Sequence, residues 1–364
     1  GFWVWRRRAL SFRVICCPCA LVVSVPLAFF AGLGGLSKAG VLVKGAEVIE
    51  KLARYGILCT DKTGTLTEGR FTVVKELCSS TGNEEDLLTL AAHAEKDATH
   101  PIAESIKEAY GKPWSLPCET IRQVSGKGVL AEADGKTVLA GTRSFLTENG
   151  VSVPEEKESG TLVYVAAEGK YLGCLVIADT VKKEAKEALS RLASLGVRRT
   201  VMLTGDRKEA ARPVAEALGI SEAESELLPQ DKLQYVRRLL SEKKKNESLV
   251  YVGDGINDAP VLALADVGIA MGALGSDAAM EASDALLMND SLLGLPRAVS
   301  LSRRVMRLVR ENVALIIGVK AVCLILTASG VSGMFLAVFA DVGVLVAAIL
   351  NAVRGLFVPK ALRK

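Results

Sequence analysis

Three long apolar stretches constrain this chain more than any other feature of its sequence. They cover residues 9–31, 312–330 and 334–353. Each is close to the ~20 residues that a helix needs to cross the hydrocarbon core of a bilayer. Only residues 331–333 separate the last two, so we expect a helical hairpin there. The sequence therefore predicts three transmembrane helices, with soluble residues 32–311 between the first and the second.

Basic residues flank the soluble side of these stretches and predict their orientation. Lys38 follows the first stretch, Arg303 and Arg307 precede the second, and Arg354 follows the third. By the positive-inside rule, the soluble segment and the C-terminus lie in the cytosol of a multi-pass protein, which we assign to the plasma membrane. Residues 6–8 are arginines on the opposite side, against the rule, and no initiator Met is present. We therefore expect a fragment of a longer protein.

Composition argues against several classes of protein. Half of the residues are hydrophobic while 24% are charged, which excludes intrinsic disorder. A net charge of +4 and only 5% aromatic residues give no basis for nucleic-acid binding. The eight cysteines are scattered, apart from Cys16, Cys17 and Cys19. This spacing is not a disulfide framework and fits a reducing compartment better.

The soluble segment alternates strand-like and helix-like stretches. The strand-like ones are residues 54–61, 198–206, 248–255 and 265–272, and the helix-like ones are residues 182–196, 207–219 and 231–245. Such alternation predicts an α/β fold with a parallel sheet and helices on both faces. Ligands bind beyond the carboxyl ends of such strands. We therefore expect one crevice that contains Asp61, Thr204, Asp206, Asp254 and Asp258.

Residues 71–177 interrupt this alternation of strands and helices. They contain a helical stretch at 84–96, short glycine-rich strands, and a hairpin pattern at 162–177. This predicts an α+β domain inserted between two halves of the sheet domain. The predicted parts are 1–44 (a transmembrane helix and its cytosolic exit), 45–70 and 178–296 (the sheet domain), 71–177 (the insertion), and 297–364 (the helical hairpin and tail).

The motif DKTGT at residues 61–65 carries the first chemical signal. A carboxylate at the end of a strand is exposed and can attack phosphorus as a nucleophile. The glycine and threonine residues that follow Asp61 supply N–H groups and hydroxyls that can cradle phosphate oxygens. A plain turn is the alternative for such a short string.

Two further motifs support phosphate chemistry. The hydroxyl and amide groups of Thr204-Gly205-Asp206 can hold phosphoryl oxygens, and the carboxylates of GDGINDAP at 253–260 need a cation. A set of ligands made only of oxygen suits Mg²⁺ beside phosphate. Lys232 can neutralise the charge of a transferred phosphoryl group. Taken alone, Lys232 would be a solvated surface lysine.

With DKTGT, TGD and GDGIND in this order, the chain resembles the P-type ATPases, which are cation pumps with a haloacid-dehalogenase-like phosphorylation domain. The resemblance implies that ATP phosphorylates Asp61. It also implies that Asp61, Asp254 and the main-chain carbonyl of Thr63 hold Mg²⁺, with Asp258 in support. The residues that it places against the phosphoryl group are Thr204, Lys232 and Asn257, with Gly205 and Asp206 in the same phosphate motif.

The inserted domain resembles the nucleotide-binding domain of the heavy-metal branch of this family. The resemblance rests on Glu95, His100 and Pro101, followed by Gly126 and Gly128. It implies that these residues bind the adenine end of ATP. The imidazole of His100 can hydrogen-bond to the base or stack on it, and glycines allow close approach of the backbone. The alternative is that His100 only marks the start of a helix.

A Cys17-Pro18-Cys19 triplet lies in the first apolar stretch. Proline removes a helical hydrogen bond, so the backbone opens locally and two thiolates can face one cavity. Soft sulfur ligands select Cu(I), Zn²⁺, Cd²⁺ or Pb²⁺. Cysteines beside a simple packing kink are the alternative, and the role of Cys16 is open.

The last two stretches each contain one charged residue, Lys320 and Asp341. Charges in a membrane helix are expensive and are usually paired or functional. Asp341 offers a hard oxygen ligand that Zn²⁺ accepts and Cu(I) does not. Lys320 can neutralise the metal site when the ion leaves. This arrangement is similar to that of the Zn²⁺/Cd²⁺/Pb²⁺-exporting branch, although a plain ion pair or a snorkelling Lys320 is an alternative.

The resemblance as a whole implies ATP-driven export of Zn²⁺, Cd²⁺ or Pb²⁺, with ATP, Mg²⁺, the metal ion and membrane lipid as partners. The Thr-Gly-Glu tripeptide of the family's actuator domain is absent, as are the earlier membrane helices, so we assign transport to a longer parent protein. Three alternatives remain. They are a Cu(I)-exporting pump, a membrane-tethered Mg²⁺-dependent phosphohydrolase, and a metal-binding remnant that regulates an intact pump.

Overall fold

The computed structural model describes residues 18–79, 83–124, 126–156, 158, 160–254, 258–272, 277–330 and 334–359, together with Phe2, Arg6, Ala9 and Arg13. These residues form two compact units. The first consists of Gly1–Asp61, Glu184–Leu203 and Leu227–Lys364, and the second of Lys62–Lys183 and Thr204–Glu226. Helices and strands are numbered below in chain order.

The soluble part of the first unit is built on a mostly parallel sheet. Its strands are β1 (Val41–Val43), β2 (Tyr55–Asp61), β9 (Arg199–Leu203), β11 (Ser248–Gly253), β12 (Val267–Met271) and β13 (Ala285–Leu287). They lie in the order β1–β13–β12–β11–β2–β9, and only β1 runs antiparallel to its neighbour. Every residue of β2, β11 and β12 is buried, as expected for strands covered on both faces. The predicted parallel sheet is confirmed.

Short helices cover this sheet. They are α2 (Ala46–Ala53), α6 (Ala185–Ser194), α8 (Pro229–Glu242), α9 (Ala259–Leu264) and α10 (Asp277–Ala282). Helix α8 begins at Pro229, where a missing N–H group costs nothing, and the Asp231 carboxylate accepts the N–H of Leu228 at 2.9 Å. Val236 and Leu239 of α8 pack in one core with the apolar residues of β2, β9 and β11. Strand β2 and helix α8 are thereby packed in the same core.

The second unit is built on an antiparallel sheet. Its strands are β3 (Thr67–Cys78), β4 (Cys118–Val124), β5 (Gly128–Ala133), β6 (Lys136–Gly141), β7 (Thr161–Ala167) and β8 (Lys170–Val181), in the order β3–β8–β7–β6–β5–β4. Its other elements are a π-helical turn at Lys62–Leu66, the helices α3 (Glu84–Ala94), α4 (Pro101–Tyr110), α5 (Arg143–Glu148) and α7 (Lys208–Leu218), and the short strand β10 (Glu222–Glu224).

Side chains on this antiparallel sheet alternate between two cores. Val138 and Ala140 of β6 face a core shared with α3 and α4, whereas Leu139 faces a second core shared with α5. This alternation is the period of two that a strand imposes. The predicted α+β domain is therefore present, and its β7–β8 hairpin lies where the sequence predicted one.

Three helices in the described part of the chain are long and apolar enough to cross a membrane. They are α1 (Cys19–Lys38), α11 (Gly294–Ala328) and α12 (Met334–Val353), and the last is followed by a 3₁₀ turn at Arg354–Leu356. The third predicted span coincides with α12. The predicted start of the first span falls partly on residues outside the described ones, as does the predicted turn at 331–333.

The other two predicted spans belong to helices that extend further into the soluble part of the chain. Helix α11 begins at Gly294 rather than at 312, because Leu301, Val305 and Leu308 continue its apolar face into the soluble part of the first unit. Helix α1 continues to Lys38 rather than ending at residue 31. The glycines near its end do not break it, because Gly35 packs directly against the 3₁₀ turn. A β-carbon on Gly35 would lie 2.5 Å from the carbonyl oxygen of Gly355.

This close contact generates a prediction about packing. Gly35→Ala places a methyl group against the Gly355 carbonyl, at an expected cost of roughly 1–3 kcal/mol that outweighs the gain of about 1 kcal/mol in helix propensity. We expect the melting temperature of the detergent-solubilised chain to fall by several degrees. Gly318→Ala in α11 is the matched control, since a β-carbon there meets no atom within 4 Å and should leave the melting temperature unchanged or higher. An equal fall in both variants would contradict the packing argument.

Candidate functional site

Three carboxylates converge at the carboxyl ends of the central strands in the first unit. Asp61 is the last residue of β2, Asp254 directly follows β11, and Asp258 directly precedes α9. One carboxylate oxygen from each lies within 4.8 Å of the others. Converging carboxylate oxygens are hard ligands, and their separation suits a divalent cation such as Mg²⁺. The residues present therefore fit the ion that the sequence motifs implied.

Lys232 lies among these carboxylates. Its ammonium donates hydrogen bonds to Asp61 Oδ1 at 2.6 Å and to Asp258 Oδ1 at 3.0 Å. It projects from the first turn of α8, where the helix dipole disfavours a cation, and it is only 7% exposed. Lys232 is thus a buried counter-charge for two carboxylates. The alternative of a solvated surface lysine is wrong.

Burial and neighbouring charges shift the pKa values of this group in opposing ways. Burial is the main cause that raises the pKa of Asp61 to about 7, with a smaller push from Asp258 and an opposing pull from Lys232. Burial disfavours the Lys232 ammonium, but Asp61 and Asp258 outweigh it and raise the pKa of Lys232. Near neutral pH Lys232 therefore stays protonated, while the carboxyl group of Asp61 is close to its pKa.

A fifth polar group in this site was not among the residues predicted from the sequence. Tyr251 is fully buried in β11, and its hydroxyl donates a hydrogen bond to Asp258 Oδ1 at 2.9 Å. Asp258 Oδ1 therefore accepts from both Tyr251 and Lys232. One signal in the sequence could have identified it. Tyr251 is the one residue with a hydroxyl group in the apolar run from Leu249 to Val252, and it lies two positions before Gly253.

The second unit holds the other phosphate motifs. Thr204 Oγ1 accepts the N–H of Asp206 at 3.1 Å, which closes the turn around Gly205. Thr63 has a β-like ψ of 133° within the π-helical turn, so its carbonyl leaves the helical direction. The positions of Thr63, Thr204, Gly205 and Asp206 relative to the carboxylates remain predictions. Asn257 lies outside the described residues.

Ion pairs and hydrogen bonds, among them those of the buried Lys62 ammonium, hold the loop that follows Asp61, and no sequence motif predicted them. Lys62 Nζ lies 2.9 Å from Asp206 Oδ2 and 3.8 Å from Asp179 Oδ2. Thr67 Oγ1 donates to the Lys62 carbonyl at 3.0 Å and also pairs with Asp179. Lys182 Nζ donates to the Gly64 carbonyl at 3.2 Å. These partners are far apart in sequence, so no local pattern shows them.

The five residues that were predicted to bind adenine line one cavity of ≈ 680 Å³ in the second unit. They are Glu95, His100, Pro101, Gly126 and Gly128. His100 precedes α4, and its Nδ1 accepts the N–H of Ala103 at 3.1 Å, so it does cap a helix. Its Nε2 lies 3.4 Å from Glu95 Oε2, and its side chain stays 44% exposed. His100 therefore marks a helix start and also presents its ring to the cavity.

Glu95 and Gly126 shape the wall of this cavity. Glu95 is almost completely buried, and burial raises the pKa of its carboxyl group while His100 opposes that shift. Gly126 has a φ of +70°, a left-handed conformation that a residue with a β-carbon adopts at a cost. The chain at this turn can therefore approach a ligand without a side chain in between.

The charged residues of the two C-terminal membrane helices meet directly. Lys320 Nζ of α11 donates to Asp341 Oδ1 of α12 at 2.9 Å, and both side chains are mostly shielded. The ion pair that the sequence analysis gave as an alternative is therefore present, and the roles of Asp341 as a metal ligand and of Lys320 as its counter-charge stay predictions. Cys19 is the first residue of α1, with Pro18 directly before it. Cys17 lies outside the described residues.

Comparison with known proteins places these features in context. A family model for haloacid dehalogenase-like hydrolases matches residues 55–266. A cadmium, zinc and cobalt-transporting ATPase of Bacillus subtilis is 46% identical over 351 residues, which are 96% of this chain and 50% of that protein. A zinc-transporting ATPase of Synechocystis is 43% identical, over 96% of this chain and 48% of that protein.

A crystal structure of a zinc-transporting PIB-type ATPase in the E2·Pi state superimposes with a TM-score of 0.87. The two sequences are 36% identical, over 98% of this chain and 59% of that one. These similarities confirm the resemblance to heavy-metal-transporting P-type ATPases that the motifs predicted. The chain spans about half the length of the curated relatives it matches.

The pKa of Asp61 generates a prediction about Mg²⁺ binding. Because this pKa is raised to about 7, the carboxyl group is mostly protonated at pH 6 and must lose its proton to bind the ion. We expect Mg²⁺ affinity to fall as pH decreases below about 7, approaching tenfold per unit, and to level off above pH 8. Calorimetry in two buffers of different ionisation enthalpy, at pH 6 and 8, measures the proton released.

Asp61→Asn is the control for this pH dependence. Removing the titrating carboxyl group should weaken Mg²⁺ binding at pH 8 and abolish most of the difference between pH 6 and pH 8. Equal affinity of the unmodified chain at both values would exclude Asp61 as a proton-linked ligand.

Proposed function

Because the chain belongs to the haloacid dehalogenase-like hydrolase family, we propose that Asp61 accepts a phosphoryl group from ATP in a pump that exports Zn²⁺, Cd²⁺ or Pb²⁺. The observation that carries this proposal is the buried cluster in which Lys232 bridges Asp61 and Asp258. A structural ion pair would need one carboxylate. Three converging carboxylates carry more negative charge than one ammonium neutralises, so the site can accept a further cation. A metal-assisted phosphoryl transfer needs such a cation.

The proposed transfer uses Asp61 as the nucleophile. A carboxylate oxygen of Asp61 attacks the γ-phosphorus, a new oxygen–phosphorus bond forms, and the bond to the β-phosphate oxygen breaks with release of ADP. Lys232 already binds Oδ1 of Asp61, so Oδ2 is the oxygen free to attack. The Lys232 ammonium also lies where it stabilises negative charge on the transferred group.

Mg²⁺ would be held by Asp61, Asp254 and the main-chain carbonyl of Thr63, with Asp258 in support. When bound, it offsets the negative charge of the phosphate oxygens. Thr204, Gly205, Asp206 and Asn257 are proposed to hold the phosphoryl oxygens. These assignments follow from the order of the motifs and from the oxygen-rich site.

The cavity of the second unit is the proposed site for the adenine end of ATP. Its lining is largely apolar, and its polar side chains include the His100 ring, the buried Glu95 carboxyl group and Gln123, with Lys127 and three threonines. A planar base can stack on the imidazole or accept hydrogen bonds from it. Gly126 and Gly128 leave the backbone accessible at the same wall.

The transported ion is proposed to bind between the three membrane helices. Ala20, next to Cys19, packs against Ile316 of α11 and Ala348 of α12. Lys320 lies one helical turn beyond Ile316, and Asp341 two turns before Ala348, so Cys19 lies within one to two helical turns of the pair along the helices. Cys17, Cys19 and Asp341 are the proposed ligands, with Lys320 as counter-charge. A carboxylate ligand favours a divalent ion over Cu(I), and the relatives are named for cadmium and zinc.

The basic residues beside the three helices support a cytosolic location for both soluble units in a plasma membrane protein. Transport itself requires segments that supply water to the phosphoenzyme and complete the ion path. We assign these to the part of the relatives that this chain does not match.

The phosphorylation proposal is tested by incubating the purified chain with [γ-³²P]ATP and Mg²⁺. We expect acid-stable, hydroxylamine-sensitive label that Asp61→Asn eliminates, because the amide is not a nucleophile for phosphorus. Asp134→Asn, at an exposed turn of the second unit, is the control and should keep full labelling. Label of the same strength in Asp61→Asn would assign the nucleophile to another residue, and label without hydroxylamine sensitivity would exclude an acyl phosphate.

The ion-site proposal is tested through Zn²⁺ binding to the chain in detergent. Asp341→Asn should weaken Zn²⁺ binding at least tenfold, because a charged ligand becomes a neutral amide. Glu311→Gln removes the same charge from α11, where Glu311 accepts a hydrogen bond from Asn351 at 3.2 Å, and should change the affinity less than twofold. Loss of thermal stability in Asp341→Asn with unchanged Zn²⁺ affinity would reduce Asp341 to a structural partner of Lys320.

A further inference from the structure

A basic cavity lies beside α11 just before its apolar span. Its volume is ≈ 320 Å³, and its charged lining consists of Arg54, Arg303, Arg307 and Arg310 with Glu50. Four guanidinium groups face one carboxylate, so the cavity has a net charge of about +3 near neutral pH. None of these residues belongs to the phosphoryl-transfer cluster or to the ion pair in the membrane. The cavity therefore has no role in the function proposed above.

Arg303 is held in a fixed orientation at one wall. Its Nε donates to the Ala53 carbonyl at 3.1 Å, and one terminal nitrogen donates to the Leu195 carbonyl. These carbonyls lie at the C-terminal ends of α2 and α6, where the helix dipoles favour a cation. The guanidinium is thus positioned by the fold before any ligand arrives.

The guanidinium groups of Arg307 and Arg310 are available to bind a ligand. They follow Arg303 by four and seven positions, so all three lie on one face of α11. Both are exposed, and within the described residues neither has a carboxylate within ion-pair distance. Arg54 is already paired with Glu50 at 2.5 Å. The free donors of Arg307 and Arg310 are suited to the geometry of a phosphate group, which a guanidinium binds through two parallel hydrogen bonds.

The position of the cavity along α11, next to the apolar span, indicates what kind of ligand it binds. Arg310 lies two residues before Asn312, where the uncharged run up to Lys320 begins. The three arginines span about 10 Å along the helix, comparable to the headgroup layer of a bilayer. Above them, Ile317 lies seven residues beyond Arg310 on the same face and is 54% exposed. A molecule with a phosphate below and an acyl chain above matches this surface.

We propose that this cavity binds the phosphodiester of an anionic phospholipid. Arg307 and Arg310 bind the phosphate, Arg303 supplies the fixed charge behind it, and the exposed face of α11 around Ile317 contacts an acyl chain. A free phosphate ion shares the first contact but gains nothing from the apolar face. The proposal concerns binding only and holds whether or not Asp61 is phosphorylated.

The test titrates the detergent-solubilised chain, without ATP, with dioctanoylphosphatidylglycerol and measures bound lipid by native mass spectrometry. Dioctanoylphosphatidylcholine and inorganic phosphate are the two comparison ligands. We expect phosphatidylglycerol to bind at least fivefold more tightly than either. Arg307→Gln and Arg310→Gln should each reduce its affinity about fivefold, the effect of one arginine at an anionic surface.

Arg304→Gln is the matched control, because it removes the same charge from the same helix but does not line the cavity. Arg304 instead donates to the Phe357 carbonyl at 3.0 Å. Its variant should bind phosphatidylglycerol within twofold of the unmodified chain. An equal loss in all three variants would overturn the site in favour of diffuse attraction. Phosphatidylcholine binding as tightly as phosphatidylglycerol would overturn the charge selection, and phosphate binding as tightly would overturn the lipid as ligand.

Discussion

The structure of the catalytic region depends on one buried ammonium group. The ends of the adjacent strands β2 and β11, together with the start of α9, bring one carboxylate oxygen each of Asp61, Asp254 and Asp258 within 4.8 Å of one another. Without compensation these carboxylates would repel each other where little water is available to screen them. Lys232 reaches between Asp61 and Asp258 from the first turn of α8 and supplies that compensation. The packing of α8 against the sheet therefore also keeps the carboxylates together, because it holds Lys232 between Asp61 and Asp258.

Much of this could be predicted from the sequence, because it is encoded locally. Buried parallel strands appear as short apolar runs, and each run ends in its acidic motif, so the convergence of Asp61, Asp254 and Asp258 follows from sheet geometry alone. The hairpin of β7 and β8 and the span of α12 are local in the same sense.

What could not be predicted depends on side-chain contacts that no local sequence pattern encodes. Tyr251 binds Asp258, and Lys62 pairs with Asp206 and Asp179, and neither relation has a sequence period. The extension of α1 and α11 beyond the predicted spans has a related cause. Packing on Gly355 holds the glycine-containing end of α1 in a helix, and the apolar face of α11 continues beyond its predicted span because it packs on the soluble part of the first unit. The five-part domain division and the roles of the phosphate-binding residues stay predictions.

Helix α11 runs without interruption for 35 residues, from Gly294 to Ala328. At 1.5 Å per residue this is about 52 Å of continuous backbone hydrogen bonding. Its first half carries Arg303, which is tied to the ends of α2 and α6, and its second half carries Lys320. No proline lies between these two positions, and the helix runs without a break through Gly318. Helix α11 is therefore mechanically stiff. A rotation of its first half, which contacts the sheet domain, would turn Lys320 by a comparable angle.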